Sequence, residues 1–289
     1  MEELKQSLRE LAQAQGIELF GITPAERLRT APAGFRPEDY LPGAKSVIVL
    51  GAHFPEASAL FWERSPFPYQ YYGYAIVNKE LGHCAFKLSK KLEQAGYLAL
   101  PFAPTVYPKD MDWKRQSGEI SHRHAAVAAG LGEFGRSGLV LTREFGTRVR
   151  FISILTRAEL PPDPPRLKQE LCKKCGKCLE ACPNRALQEE FEVSFEIEGT
   201  RLSYIQADKH RCYYNIMGLG PGSGGIINRR IKDRPGRLKD KDLSAGVIRA
   251  FLKKPSDFIV QLMLQHAVDW VDWCGRCLQV CTPNPNHLK

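Results

Sequence analysis

Cys172-Lys173-Lys174-Cys175-Gly176-Lys177-Cys178-Leu179-Glu180-Ala181-Cys182-Pro183 is spaced C-x2-C-x2-C-x3-C-P. A second run, Cys274-Gly275-Arg276-Cys277-Leu278-Gln279-Val280-Cys281, is spaced C-x2-C-x3-C. The first spacing is that of a [4Fe–4S] cubane whose fourth cysteine serves another cluster. Three thiolates on a short loop wrap three corners of one cube. The fourth, three residues on, is carried away on the start of a helix, and Pro183 stops the run. The second run repeats this logic in reverse, so Cys281 completes the first cluster. The cluster held by Cys182, Cys274 and Cys277 then needs one more ligand. Cys84 and Cys212 remain, and Cys212 lies between the two runs in Lys209-His210-Arg211-Cys212. The expected sets are Cys172, Cys175, Cys178 and Cys281 for one cluster, and Cys182, Cys212, Cys274 and Cys277 for the other. Cys84 sits in an apolar helical stretch and is expected to be a buried bystander.

Paired C-x2-C units also bind structural zinc. Zinc sites rarely use three cysteines at x2 intervals followed by Cys-Pro, so iron–sulfur is the better reading. Dense short spacings would strain disulfide loops. The opening Met1-Glu2-Glu3-Leu4-Lys5 does not read as a signal peptide. No run of eighteen apolar residues is present, so no membrane contact is expected. A cytoplasmic location follows, where thiols stay reduced.

The 289 residues are 43% hydrophobic and 25% charged, enough for one large domain and a smaller one. Formal charge is +9. Each oxidised cubane on four thiolates adds about −2, which brings the total to about +5. Basic residues gather at 229–234 and 237–241. They read as a solvated loop before a nucleic-acid contact, so nucleic acid is a possible but unfavoured partner.

Leu4, Leu8 and Leu11 recur at helical spacing and predict a helix over 2–15. Ile17–Ile22 and the apolar run 46–51 read as strands, the second buried. Residues 77–95 and 122–129 read as helices, 139–141 and 149–156 as strands about a turn at Gly146. The class is α+β. Pro161-Pro162-Asp163-Pro164-Pro165 is a stiff boundary between residues 1–160 and 161–289. In the second part, 191–197 and 201–205 predict a hairpin. Residues 214–246, with the glycine-rich run 218–225, read as a long loop. Phe258, Leu262 and Val268 mark a final helix.

Gly130-Leu131-Gly132-Glu133-Phe134-Gly135 matches G-x-G-x-x-G. A dinucleotide fingerprint needs a strand before it and a helix after it, and the order here is the opposite. About 160 residues precede the cysteines, more than electron carriage requires. That region offers Tyr69, Tyr71, Tyr72, Tyr74, Tyr107, His122, Arg123, His124 and Arg136 as polar candidates. The aromatic stretch 67–74 reads either as packing or as the wall of a flat ligand's pocket.

The order of motifs resembles the epoxyqueuosine reductase family, which is related to the cobalamin-dependent reductive dehalogenases. It runs through Leu41–Leu50, Ala129–Gly132 with Gly135, Cys172–Pro183, Arg211-Cys212 and Cys274–Cys281. The resemblance implies a nitroreductase-like N-terminal domain that holds a cobalamin beside one cluster of a bacterial-ferredoxin-like module. It also supports Cys212 as a ligand. The family's Asp-Ser-Ala-Pro-like segment, whose Asp donates a proton, has no match in 116–125. A paralogue with another substrate is therefore expected.

The implied protein is a reductase passing electrons through two [4Fe–4S] clusters to cobalamin. Its donor would be a low-potential ferredoxin or flavodoxin, its substrate a small molecule or a corrinoid. His122, His124 and Tyr72 are the candidate proton donors. Arg123, Gly130, Gly132, Arg136, Gly220 and Gly222 are the candidate cobalamin contacts. Two other readings stay open at this point: a corrinoid-processing or activating protein, and an electron-transfer protein without a corrinoid.

Overall fold

The computed structural model describes residues 1–61, 67–104, 117–216 and 274–281. The run 218–225 with Gly220 and Gly222, Tyr107, the basic segments and the helix expected around Phe258 lie outside the described residues. The helices are α1 (Glu2–Ala14), α2 (Pro37–Tyr40), α3 (Glu56–Leu60), α4 (Phe67–Gln70), α5 (Val77–Gln94), α6 (His122–Ala128), α7 (Lys177–Glu180), α8 (Lys209–Ile216) and α9 (Arg276–Gln279). The strands are β1 (Leu19–Pro24), β2 (Ser46–His53), β3 (Ala99–Pro101), β4 (Glu133–Phe134), β5 (Val140–Leu141), β6 (Val149–Thr156), β7 (Glu192–Ile197) and β8 (Thr200–Ile205).

A four-stranded antiparallel sheet, ordered β1-β2-β6-β3, forms the centre. Its middle strands are mostly buried because both faces are covered. Ile48, Leu50, Ile152 and Ile154 pack with Leu8 and Ala12 of α1 and with Leu81, Leu88 and Leu92 of α5. Val47, Val49, Phe151 and Leu155 share a core with the alanines of α6 and with Ile197, Leu202 and Tyr204. Strand alternation sends successive residues of β2 to opposite layers. Cys84 is fully buried in the first layer, where burial pushes its thiol up to about 11.

The hairpin forms as the sequence predicts. Glu198 and Gly199 both have positive φ, which suits a two-residue turn between twisted strands. The proline segment is extended, but it is no free spacer. Asp163 exchanges main-chain and side-chain hydrogen bonds with Ile22, each at 2.8 Å. Lys5 reaches its carboxylate at 2.8 Å and Arg27 its carbonyl at 2.7 Å. The segment is strapped across β1. No helix among the described residues is long and apolar enough to cross a membrane.

Candidate cluster site

The first cysteine run leaves the strap and enters a tight curl. Lys174 and Gly176 both adopt positive φ, 51° and 79°. Alternating left- and right-handed residues curl a backbone and gather its N–H groups on the concave side, which suits an anionic guest. Two sulfurs accept main-chain N–H groups: Cys172 from Arg136 at 3.3 Å, and Cys182 from Ala186 at 3.1 Å.

Cys281 stands near the first run. Burial pushes its thiol up to about 11, and the neighbouring Cys172, Cys178 and Cys175 push the same way. Cys178 is raised by burial, then by Cys172 and Cys175. These four thiols form the set that the spacing assigns to one cluster. Packing of α7 against α9 brings the two cysteine runs together. Among the described residues, no three His, Cys, Asp or Glu side chains converge as ligands of a single ion.

The second set is approached from α8. Asp208 donates its N–H to Ala186 O at 2.7 Å, and Arg211 reaches Asn184 O at 3.4 Å. These bonds dock the start of α8, with Cys212, on the segment that follows Cys182. Buried polar atoms are left over here. Among the described residues, both ends of the Asn184 amide and Nδ1 of His210 find no hydrogen-bond partner. Cluster sulfurs beside Cys182 and Cys212 would accept from the Asn184 amide N–H, and from His210 Nδ1 where it carries the proton, so these donors fit a cluster.

The second run is anchored to the sheet. Thr147 donates to Leu278 O at 3.3 Å, and Arg148 to Cys281 O at 3.4 Å. Arg148 also pairs with Glu56 at 2.9 Å, and both side chains are buried. Gly275 lies so close to Tyr69 that a Cβ would sit 3.0 Å from the ring. The aromatic stretch is therefore packing at Tyr69 and Tyr74, which are buried. Tyr71 and Tyr72 are exposed and meet edge to face.

Of the residues named for proton donation and cobalamin, His122, His124, Arg123, Arg136, Gly130 and Gly132 contact other parts of the fold. The His122 ring contacts Ser153 Oγ and Ala103 O, each at 2.9 Å. The carbonyl requires Nε2–H to donate, so Nδ1 accepts from the serine. Burial lowers His122 to about 4, with Arg150 adding to the shift against the Ala103 bond. His124 bonds Ser121 at 2.6 Å and packs among Phe134, Phe195 and Tyr204. Burial, and then Arg123, lowers it to about 3. Arg123 donates to Gly138 O, and Arg136 pairs with Glu189. A Cβ on Gly130 would lie 2.2 Å from Pro164 O, and one on Gly132 would lie 2.5 Å from Leu141 O. Both glycines admit protein backbone where a ligand was expected. Each of these side chains and glycines makes contacts within the fold.

Sequence reasoning missed Glu133, which is 1% exposed and accepts three main-chain N–H groups from Glu170, Leu171 and Cys172. It also missed Arg148, Glu56 and Asn184. The one available signal was an acid inside an otherwise glycine and apolar run at 130–135.

Residues 165–188 match the family described as 4Fe-4S binding domain. The chain is similar to the tetrachloroethene reductive dehalogenase of Desulfitobacterium hafniense, 33% identical over 207 residues, 68% of this chain and 33% of that protein. It is also similar to the epoxyqueuosine reductase of Bacillus cereus, 27% identical over 215 residues, 64% of this chain and 53% of that protein. It thus spans a third to about half of these relatives. A solved reductive dehalogenase, described as acting in B12-dependent dehalogenation, shares the fold with a TM-score of 0.53 at 18% identity, over 86% of this chain and 36% of that one. The homologues of this chain therefore include both epoxyqueuosine reductases and reductive dehalogenases, and residues 165–188 of the chain carry a 4Fe-4S binding motif.

Proposed function

We propose that this protein is an iron–sulfur reductase that carries electrons through two [4Fe–4S] clusters to a cobalamin. The observation that carries the reading is the Cys281 thiol standing with Cys172, Cys175 and Cys178, as the split spacing requires. Cys172, Cys175, Cys178 and Cys281 would hold one cluster. Cys182, Cys212, Cys274 and Cys277 would hold the other. When bound, the clusters supply one-electron storage, and cobalamin supplies a strongly reducing cobalt. The chain's part is to hold eight thiolates and to steady the sulfurs of Cys172 and Cys182 with the N–H groups of Arg136 and Ala186.

The cobalamin rests on the motif order and on the dehalogenase relatives. Since His122, His124, Gly130 and Gly132 are taken up by the fold, no corrinoid contact is assigned to them. The electron donor is a low-potential ferredoxin or flavodoxin, and the substrate is a small molecule or a corrinoid.

Anaerobically purified protein is expected to hold about eight irons and about eight acid-labile sulfides per chain. Cys212→Ala should lose iron from one cluster, while Cys84→Ala keeps the parent's content. Stoichiometric zinc without iron would overturn the cluster reading. Titration with cob(II)alamin should change the cobalt spectrum. An unchanged spectrum in iron-replete protein would remove the cobalamin and leave electron transfer to another acceptor.

A further inference from the structure

Cys172 is gripped from two sides by one short segment, Glu133–Arg136. Glu133 Oε1 accepts the N–H of Leu171 at 2.6 Å and of Cys172 at 2.9 Å. Its Oε2 accepts the N–H of Glu170 at 2.8 Å. One residue on, Phe134 O accepts Gln169 Nε2 at 2.9 Å. Two residues further, the Arg136 N–H donates to Cys172 Sγ at 3.3 Å. A carboxylate that is 1% exposed is costly to bury. Convergent main-chain donors offset that cost and fix the three residues that donate. They also place a carboxylate beside the first residue of the cysteine run.

We propose that Glu133 is the positioning residue of the first cluster. It sets the chain entering Cys172, so that the sulfur meets the Arg136 N–H, and it biases that cluster toward its oxidised state. This rests on the reading of Cys172, Cys175, Cys178 and Cys281 as cluster ligands. It gives the acid in the Gly-x-Gly-Glu run a role in the redox centre that neither a dinucleotide fingerprint nor plain packing would.

The test compares full-length anaerobic protein with Glu133→Gln and Glu133→Asp. Gln keeps the shape but loses the charge, and its amide turns a donor toward main-chain donors. Asp keeps the charge but is one methylene short of the three N–H groups. Both variants are expected to release about half their iron to an iron(II) chelator faster than the parent, about tenfold for Gln. In an electron-paramagnetic-resonance redox titration, Gln should raise the midpoint potential of one cluster and leave the other unmoved. Asp should leave both potentials near the parent's. This split between release and potential is what mere structural damage would not produce. Parental release rates in Asp, or unmoved potentials in a folded Gln variant, overturn the proposal. If Gln fails to fold, the Asp release rate decides alone. A parent protein without iron sinks the cluster reading instead, so the two failures are distinct.

Discussion

Arg148→Met is the perturbation that tests how the second cysteine run is held. The Arg148 side chain is 2% exposed, pairs with Glu56 at 2.9 Å and donates to Cys281 O at 3.4 Å. Met preserves much of the stem's packing and deletes the charge. Glu56, 6% exposed at its side chain, is then a buried carboxylate without its arginine. Breaking a buried pair from one side costs about 3–5 kcal/mol. With a urea slope of about 3 kcal/mol per molar, the unfolding midpoint should fall by about 1 M or more. Replacing both partners, Glu56→Gln with Arg148→Met, should recover much of that loss, because no buried charge is stranded. The assay is far-ultraviolet circular dichroism of anaerobic protein in urea, with iron counted on the same samples. Iron should fall toward half in the single variant, since Cys281 loses a tether. A midpoint shift below about 0.3 M, with full iron, would refute the reasoning.

Gly130→Ala places a Cβ 2.2 Å from Pro164 O at a φ of +76°, so it should cost at least about 2 kcal/mol in urea unfolding. Parental stability with weakened cobalamin binding would return Gly130 to a ligand role. His122 has a folded value of about 4 against an ordinary 6.5. Its contribution is therefore complete above pH 6.5 and is lost as pH falls toward about 4. Between pH 7 and about pH 5.5 the parent should lose about 1 kcal/mol more stability than His122→Asn, and equal losses would contradict a half-buried imidazole held neutral. Transfer RNA bearing epoxyqueuosine should not be turned over by cobalamin-supplemented enzyme, because 116–125 lacks the Asp of that family's proton-donating segment. Multiple turnover in that assay would refute the paralogue reading.

What was legible in the sequence is what short-range physics dictates. The run 46–51 is apolar after Ser46, and it forms a strand covered on both faces. Residues 77–95 show one apolar face, and α5 buries Leu81, Leu88 and Leu92 there. Glu198-Gly199 predicts a tight turn, and both residues take positive φ. The reversed spacing of the second cysteine run placed Cys281 with the first, although the residues between them carry no such signal. The first three features depend on neighbours within a few positions, and the fourth is the spacing that a shared cluster would require.

The contacts that the sequence does not show share a different cause. His122, His124, Gly130 and Gly132 were singled out for their chemistry, and chemistry alone does not say whether a partner is a ligand or the chain itself. Ser153, thirty-one residues away, and Ala103, nineteen away, occupy the His122 ring. Pro164 occupies the space beside Gly130. None of these partners shares a periodicity with the residue it engages. The same blindness hid Glu133, whose three donors lie 37 to 39 residues downstream. The glycines and the acid belong to one device. Gly130 and Gly132 let the strap and β5 approach closely, and that closeness brings the strap's continuation, Gln169–Cys172, within reach of the Glu133 carboxylate. The motif that resembled a nucleotide loop is, in this fold, the surface on which the cysteine loop is seated.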